Sequence, residues 1–385
     1  MTDATTSSLA DTRRRFREQM AIHPKWAYFD HAAVSPMPRP TRAAIEAWMD
    51  EAGGDGGPAW MNWARGVEQT RRSCAQLLGA TPEEIAFTPH TTAGISLVAQ
   101  GLSWQSGDNV VTLEDEFPAN VYPWLSLGDL GVETRFVPTD HGRVDLDDVR
   151  ARCDERTRVV SVSWVAFLSG HRRDLVALGD LAREIGAWFV VDAIQGVGAL
   201  PFDVAATPAD VVAVNGQKWQ MGPEGGAYAY VRRERLDDLR VAGLGWNSMD
   251  DPFNFDRLEI RLRDTAARFE AGTRNMSGLI GLGASQAMLL ELGIENIAAA
   301  ILDTTDEACR RLGELGAEVL SRRAGDERSG IVQFQLPGAD SDAVRSHCMK
   351  HGVALACRSG TLRISPHGYT NSEDLDRLMD ALGSF

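Results

Sequence analysis

From about Ile85 to Arg232 the chain alternates short apolar runs with amphipathic stretches. Ile85–Phe87, Asn109–Leu113, Glu133–Val137, Val159–Trp164, Trp188–Val191, Val211–Val214 and Gly226–Val231 have strand length and β-branched or aromatic content. Helical patterns lie between several of them, as at Gly94–Gly101 and Leu178–Ile185. This βα alternation predicts an α/β fold, with a mainly parallel seven-stranded sheet covered by helices on both faces. Beyond it the pattern changes. Asn275–Leu292 and Asp303–Gly316 read as helices. After them come the short strands Ile331–Gln335, Val353–Ala356 and Thr361–Ser365, with amphipathic stretches at Asp340–His351 and Ser372–Leu382. The expected organisation is an N-terminal arm over residues 1–24, a large domain over 25–265 and a smaller α+β domain over 266–385, against which the arm can pack. The glycines of 53–58 read as a mobile turn rather than a phosphate loop, because no strand precedes them.

Composition narrows the function. With 385 residues, 44% of them hydrophobic, the chain is able to bury a large core. A formal net charge of -15 opposes sequence-independent binding to nucleic acid or to an anionic membrane. No apolar stretch reaches the roughly 18 residues that span a bilayer, and Met1–Arg15 lacks an apolar signal core, so a cytoplasmic protein is expected. The five cysteines are scattered and form no CxxC pair, which suggests neither a disulfide framework nor a zinc site; no metal is expected.

Lys218 follows the apolar run Ala209–Val214 and precedes glycine-rich backbone, which places an amine at a strand end. The run Ala187–Val191 ends in Asp192, an acid at the carboxyl edge of a neighbouring strand, where open α/β sheets bind ligands. An aspartate for a pyridinium nitrogen and a lysine for a Schiff base are the two groups that pyridoxal phosphate chemistry most needs. Thr91 and Thr92 follow the strand Ile85–Phe87 and open a helix, whose unpaired N–H groups suit a phosphate; either threonine also suits an ordinary N-cap. The G-x-G-x-x-G turn of a nicotinamide-binding oxidoreductase is missing after the first strand.

Further motifs join these residues in order: Tyr28-Phe29-Asp30-His31-Ala32-Ala33, Thr91-Thr92-Ala93-Gly94-Ile95, Glu116-Phe117-Pro118-Ala119-Asn120, Val191-Asp192-Ala193-Ile194-Gln195, Gly216-Gln217-Lys218-Trp219, Arg268 to Asn275, and Arg363-Ile364-Ser365-Pro366-His367. From about Trp26 to the carboxyl terminus the chain resembles the class V aminotransferase family of fold type I pyridoxal phosphate enzymes. That group includes cysteine desulfurases and kynureninase-like and isopenicillin N epimerase-like proteins. The resemblance implies a homodimer with composite active sites and an amino-acid or small carboxylate-bearing amine as substrate. It makes Lys218 the Schiff-base lysine and proton carrier, Asp192 the partner of the pyridinium nitrogen and Gln195 a donor to the ring's phenolic oxygen. Phe117 matches the residue that stacks on the cofactor. Thr92, Asn215 and Gln217 match the phosphate shell beside Thr91, and Thr273 matches a residue lent by the second subunit. Arg363 looks like the clamp on the substrate α-carboxylate, with His31 and Ala32 beside the substrate. His31, His90 and His171 are candidate acid/base groups, although each suits ordinary hydrogen bonding or capping equally well.

Two departures bear on the reaction. Ser163 to Gly170 contains no Asn or Gln where relatives put an amide near the ring oxygen, so Gln195 is expected to act alone. Desulfurases carry a histidine at the position of Phe117 and a persulfide cysteine on a mobile loop well before the carboxylate arginine, whereas Cys357 lies only six positions before Arg363. Transamination is therefore the expected reaction. The alternatives are a lyase cleaving at Cβ or Cγ and an epimerase, and a non-catalytic sensor of the same fold is the reading from a different class.

Overall fold

The computed structural model describes residues 8–256 and 258–385; residues 1–7 of the expected arm lie outside them. In chain order the strands are β1 (Ala27–Tyr28), β2 (Ile85–Thr88), β3 (Asn109–Leu113), β4 (Glu133–Val137), β5 (Thr157–Ser163), β6 (Trp188–Asp192), β7 (Val211–Asn215), β8 (Ala227–Val231), β9 (Glu318–Val319), β10 (Val332–Gln335), β11 (Val353–Ala354), β12 (Ala356–Arg358) and β13 (Thr361–Ile364). The helices are α1 (Leu9–Glu18), α2 (Arg39–Gly54), α3 (Trp60–Leu78), α4 (Thr91–Gly101), α5 (Tyr122–Leu125), α6 (Leu146–Arg152), α7 (Leu175–Glu184), α8 (Met276–Leu292), α9 (Ile294–Glu314), α10 (Ser341–Lys350) and α11 (Ser372–Gly383).

The large sheet has seven strands in the order β2-β8-β7-β6-β5-β3-β4, and only β8 runs antiparallel to its neighbours. Its strands are continuous apolar runs because helices cover both faces, so every position of β3, β6, β7 and β8 is buried. Edge strand β4 is polar for the opposite reason: four of its five residues keep contact with solvent. Helix α4 crosses β7 closely; a Cβ on Gly94 would sit 3.0 Å from the Cβ of Ala213.

A second sheet, ordered β12-β13-β10-β9, is antiparallel throughout. The expected strand Val353–Ala356 divides at Leu355: β11 pairs in parallel with β1, and β12 turns back against β13. Helix α9 begins nine residues before its expected start, because the apolar stripe through Ile297, Ile301, Ala308 and Leu312 is already in phase directly after Gly293. Gly53 and Gly54 close α2, and Gly57–Ala59 forms a 3-10 turn into α3.

Two features fix this second sheet to the first. The loop after β5 offers carbonyls to the connection between β9 and β10: Ser321 Oγ donates to Ser169 O at 2.5 Å and Ser329 Oγ to Gly170 O at 2.6 Å. Gly170 has φ +72°, and a Cβ there would lie 2.4 Å from Ile331 O. The second feature is a buried group of His31, His367, Tyr369, Trp219 and Phe16. His31 Nδ1 donates to Ser365 O at 2.8 Å, leaving Nε2 to accept from the Tyr369 hydroxyl at 2.9 Å. His367 Nε2 donates to Trp219 O at 2.9 Å, while Nδ1 accepts from Gly368 N–H at 2.8 Å. Both rings are thus satisfied only as neutral imidazoles. Burial depresses both pKa values, that of His367 to about 4.

Gly170→Ala is expected to destabilise the fold by about 1–3 kcal/mol, since the new methyl meets backbone and the left-handed conformation is strained. Unchanged denaturant midpoints would refute the strap. The histidines give a pH signature. Unfolded, each binds a proton near pH 6.5; folded, neither does until the pH is far lower, so stability is complete above 6.5 and falls as pH drops towards 4. His367 alone would account for about 3 kcal/mol of that loss. Denaturation curves that stay flat between pH 6.5 and 5 would show that these rings are not held neutral.

Candidate active site

The carboxyl ends of neighbouring parallel strands β5, β6 and β7 bring Ser163, Asp192 and Asn215 to one cavity of about 390 Å³. Gln217 and Lys218 enter it from the turn after β7, and Thr91 and Thr92 from the first turn of α4. Ala32, Phe117, Gln195 and Arg363 complete the expected set on its wall. The turn that carries Lys218 is held from outside: Ser35 Oγ donates to Lys218 O at 2.5 Å, and His367 to Trp219 O.

Asp192 is 2% exposed, and its Oδ1 accepts the Ile194 N–H at 3.0 Å. Desolvation raises its pKa against the opposing pull of Lys218. Burial lowers that of Lys218 against the attraction of Asp192, and Arg363 adds to the lowering. A lysine so placed yields a neutral amine nearer to neutrality than a solvated one does. Its Nζ lies 5.6 Å from the centroid of the Phe117 ring, which meets Phe167 edge to face at 5.4 Å.

Gln195 is fixed at both ends of its amide. Its Oε1 accepts from Trp219 Nε1 at 2.9 Å, and its Nε2 donates one hydrogen to Ala32 O at 3.1 Å. The second hydrogen of Nε2 is left for a ligand. Below Phe117, Glu116 is fully buried among donors: Ser163 N at 2.6 Å, the Ser163 hydroxyl, Asn120 Nδ2 at 3.1 Å and Arg173 Nη1 at 3.2 Å. Arg173 also grips Asp115 with Nη2 at 2.7 and 2.8 Å. Arg363 donates Nη1 to Phe167 O at 2.6 Å and Nη2 to Asp30 Oδ1 at 3.4 Å.

These residues fit pyridoxal phosphate. Asp192 suits a ring nitrogen that keeps its proton, Lys218 an aldehyde carbon, and the α4 amino terminus a phosphate. Thr91 Oγ1, Asn215 Oδ1 and Gln217 Oε1 are buried, belong to cavity-lining residues, and have no partner within the protein. Buried polar atoms of this kind ordinarily find a partner.

Three expected residues stand elsewhere. His31 does not line the cavity: along the segment 30–32 Ala32 faces it, and the imidazole turns to Ser365 and Tyr369 behind. His171 belongs to a separate groove with Arg143, Trp164 and Phe202. Thr273 is exposed and outside the cavity of this chain. His90 does line it, while capping α4 through an Nδ1 that accepts from Ala93 N–H at 3.1 Å. Cys357 faces the other way: in the β12–β13 register it lies opposite Leu362, whereas Ala356 lies opposite Arg363. Its surroundings are Asp342 and Arg345 of α10. Phe167 and Arg358, which no sequence motif marks, also line the cavity. For Arg358 the signal was Ser359-Gly360, a two-residue turn that folds it back beside Arg363.

The sequence profile of the family described as aminotransferase class-V matches residues 27–378. A probable cysteine desulfurase of Methanothermobacter thermautotrophicus is 33% identical over 92% of this chain and 93% of its own length. An uncharacterized aminotransferase of Bacillus subtilis is 25% identical over 91% of this chain and 92% of its own. Among solved structures, the apo cysteine desulfurase of Thermococcus onnurineus NA1 superposes with a TM-score of 0.88 at 27% identity, covering 96% of this chain and 97% of the other. The cavity, its lysine and its acid thus stand on a scaffold shared over nearly the whole length, and the chain belongs to the class-V aminotransferase family.

Proposed function

We propose that this protein is a pyridoxal-phosphate-dependent lyase that cleaves an amino acid at Cβ, rather than the aminotransferase that the sequence suggested. The kinship with proteins named cysteine desulfurases supports cleavage of a carbon–sulfur bond. One observation shapes the proposal further: among the described residues no cysteine lines the cavity, and Cys357 sits on the opposite face of its hairpin. The leaving group therefore departs to solvent or to a soluble acceptor instead of being carried on a thiol of this chain.

When bound, pyridoxal phosphate supplies a carbonyl that captures the substrate amine and a ring that draws electrons from Cα. The protein's part is positional and electrostatic. Arg363 holds the α-carboxylate through its planar fork, with Nε still free of any protein partner. Lys218 takes the Cα proton; its lowered pKa makes the neutral, basic form accessible. Asp192 keeps a proton at the ring nitrogen, and Gln195 offers its remaining N–H to the ring oxygen. Phe117 would stack on the cofactor ring and has no proton to give, so Lys218 is also the group placed to return one. Thr273, outside its own chain's cavity, is assigned to the site of a second copy in a homodimer.

The decisive measurement is a product assay on a panel of amino acids with the holoenzyme. Ammonia and a keto acid released in equal amounts support the lyase; transfer of the amino group to a keto-acid acceptor without ammonia overturns it. Lys218→Ala is expected to lower turnover by about 10²–10⁴-fold or more while the fold survives. Wild-type turnover in that variant would remove the lysine from the mechanism. Cys357→Ser is expected to leave turnover unchanged, and near-complete loss together with a persulfide on the native thiol would restore a thiol-carried route.

A further inference from the structure

The cavity carries one cationic side chain to which the site described above gives no role. Lys218 faces Asp192, and Arg363 is the α-carboxylate clamp. A second guanidinium, that of Arg358, lines the same cavity. The hairpin register explains how it comes to be there. Arg358 lies opposite Thr361 and Ala356 opposite Arg363, so Arg358 and Arg363 share one face as diagonal neighbours, with their Cβ atoms separated by about 7 Å. Ser359 and Gly360, at φ +49° and +74°, make the turn that brings the two strands together.

Arg358 has little to do within the protein. Its guanidinium gives one 3.3 Å hydrogen bond, from Nη1 to the carbonyl of its neighbour Cys357. Among the described residues it forms no ion pair. Asp30, the acid near enough to feel its charge, is bonded to Arg363 instead. The charge of Arg358 also reaches Lys218 and Arg363, helping to depress the pKa of each. Arg363 Nε, buried and without a partner, adds an unfilled donor on the same face. Thr91, Thr92, Asn215 and Gln217 belong to the large sheet and its helix, whereas both arginines belong to the small sheet. The phosphate cup and the arginine pair thus approach the cavity from different elements.

Building on the reading of the site as an amino-acid site, we propose that Arg358 is a specificity-determining residue that binds a second anionic group at the end of the substrate side chain. The substrate class is an amino acid with a carboxylate, sulfinate or comparable anion separated from the α-carboxylate by two to three carbons or an equivalent sulfur-containing spacer. Such a chain spans two neighbouring guanidinium forks, and an arginine offers the second anion the same planar pairing that Arg363 offers the first.

The test uses the holoenzyme and ligands that bind without reacting: succinate and glutarate against butyrate and valerate, with dissociation constants read from calorimetry. The wild-type protein is expected to prefer a dianion over the monoanion of equal length by about tenfold, as a charge-assisted hydrogen bond at a part-exposed site allows. Arg358→Met should bring that ratio to about one. Equal affinity for the two classes in the wild-type protein, or a preference that survives in the variant, overturns the proposal. Loosened cofactor retention in Arg358→Met with the dianion preference intact also overturns it, and would place this arginine on the phosphate. Arg363→Met separates the two levels. If it abolishes monoanion binding while no dianion preference exists, the reading of the site stands and only this inference fails. If neither ligand class binds and Arg363→Met changes nothing, the amino-acid site itself is wrong, and the inference goes with it.

Discussion

The site depends on one seam, where the loop after β5 lends its carbonyls to side chains of β13 and of the connection between β9 and β10. Phe167 O receives Arg363, Ser169 O receives Ser321 and Gly170 O receives Ser329. Lys218, Asp192 and the phosphate cup belong to one sheet, and both cavity arginines to the other. The roles proposed for Arg363 and Lys218 require the two side chains to keep a fixed relative position, because small misplacements of reacting groups are costly. Hydrogen bonds to backbone carbonyls achieve this without introducing further charge. Gly170 allows the closest approach, because a side chain there would meet Ile331 O.

Beneath the seam lies a second constraint, the burial of Glu116. Its carboxylate is removed from water, and burial raises its pKa against the pull of Arg173. Removing one partner from such a group costs far more than the pair contributes when intact, because the remaining charge stays buried. Glu116 carries Phe117 as its next residue and binds Ser163 at the end of β5. The segment that carries Phe117 and the strand end beside Asp192 thus share one set of hydrogen bonds. Both sides of the cavity are set by polar contacts one layer behind its wall.

How much of this could be read beforehand follows from where the physical signal is local. The seven strands of the large sheet were legible within two residues: burial on both faces makes the inner ones continuous apolar runs, and the polar edge strand β4 still shows strand-forming Thr134, Phe136 and Val137. Asp192 was legible because it terminates such a run, and Lys218 because it stands in the glycine-bearing turn just after one. Helix α2 was not: it fully buries only Thr41 and packs on α8, so its sequence carries no sharp stripe. His31 misled because the motif around it does approach the cavity; which of two successive side chains faces inward is decided by backbone direction, and Ala32 has that position. Arg358 was missed because its relation to Arg363 is one of strand register across a turn. Cys357, one residue earlier, faces α10 by the same alternation.

The ion pair between Arg363 and Asp30 has a consequence for how the cavity fills. Arg363, proposed to hold the substrate carboxylate, is already paired with an internal carboxylate whose own pKa is raised by desolvation. An arriving carboxylate therefore replaces part of an existing interaction, and its affinity is a difference between two similar terms. An acid that met Arg363 alone would exchange one carboxylate partner for another and gain only that difference. Affinity withheld from the resting complex also leaves more of the substrate's interaction energy to be expressed as the barrier is crossed. Asp30 is thus a built-in competitor for any anion that approaches Arg363.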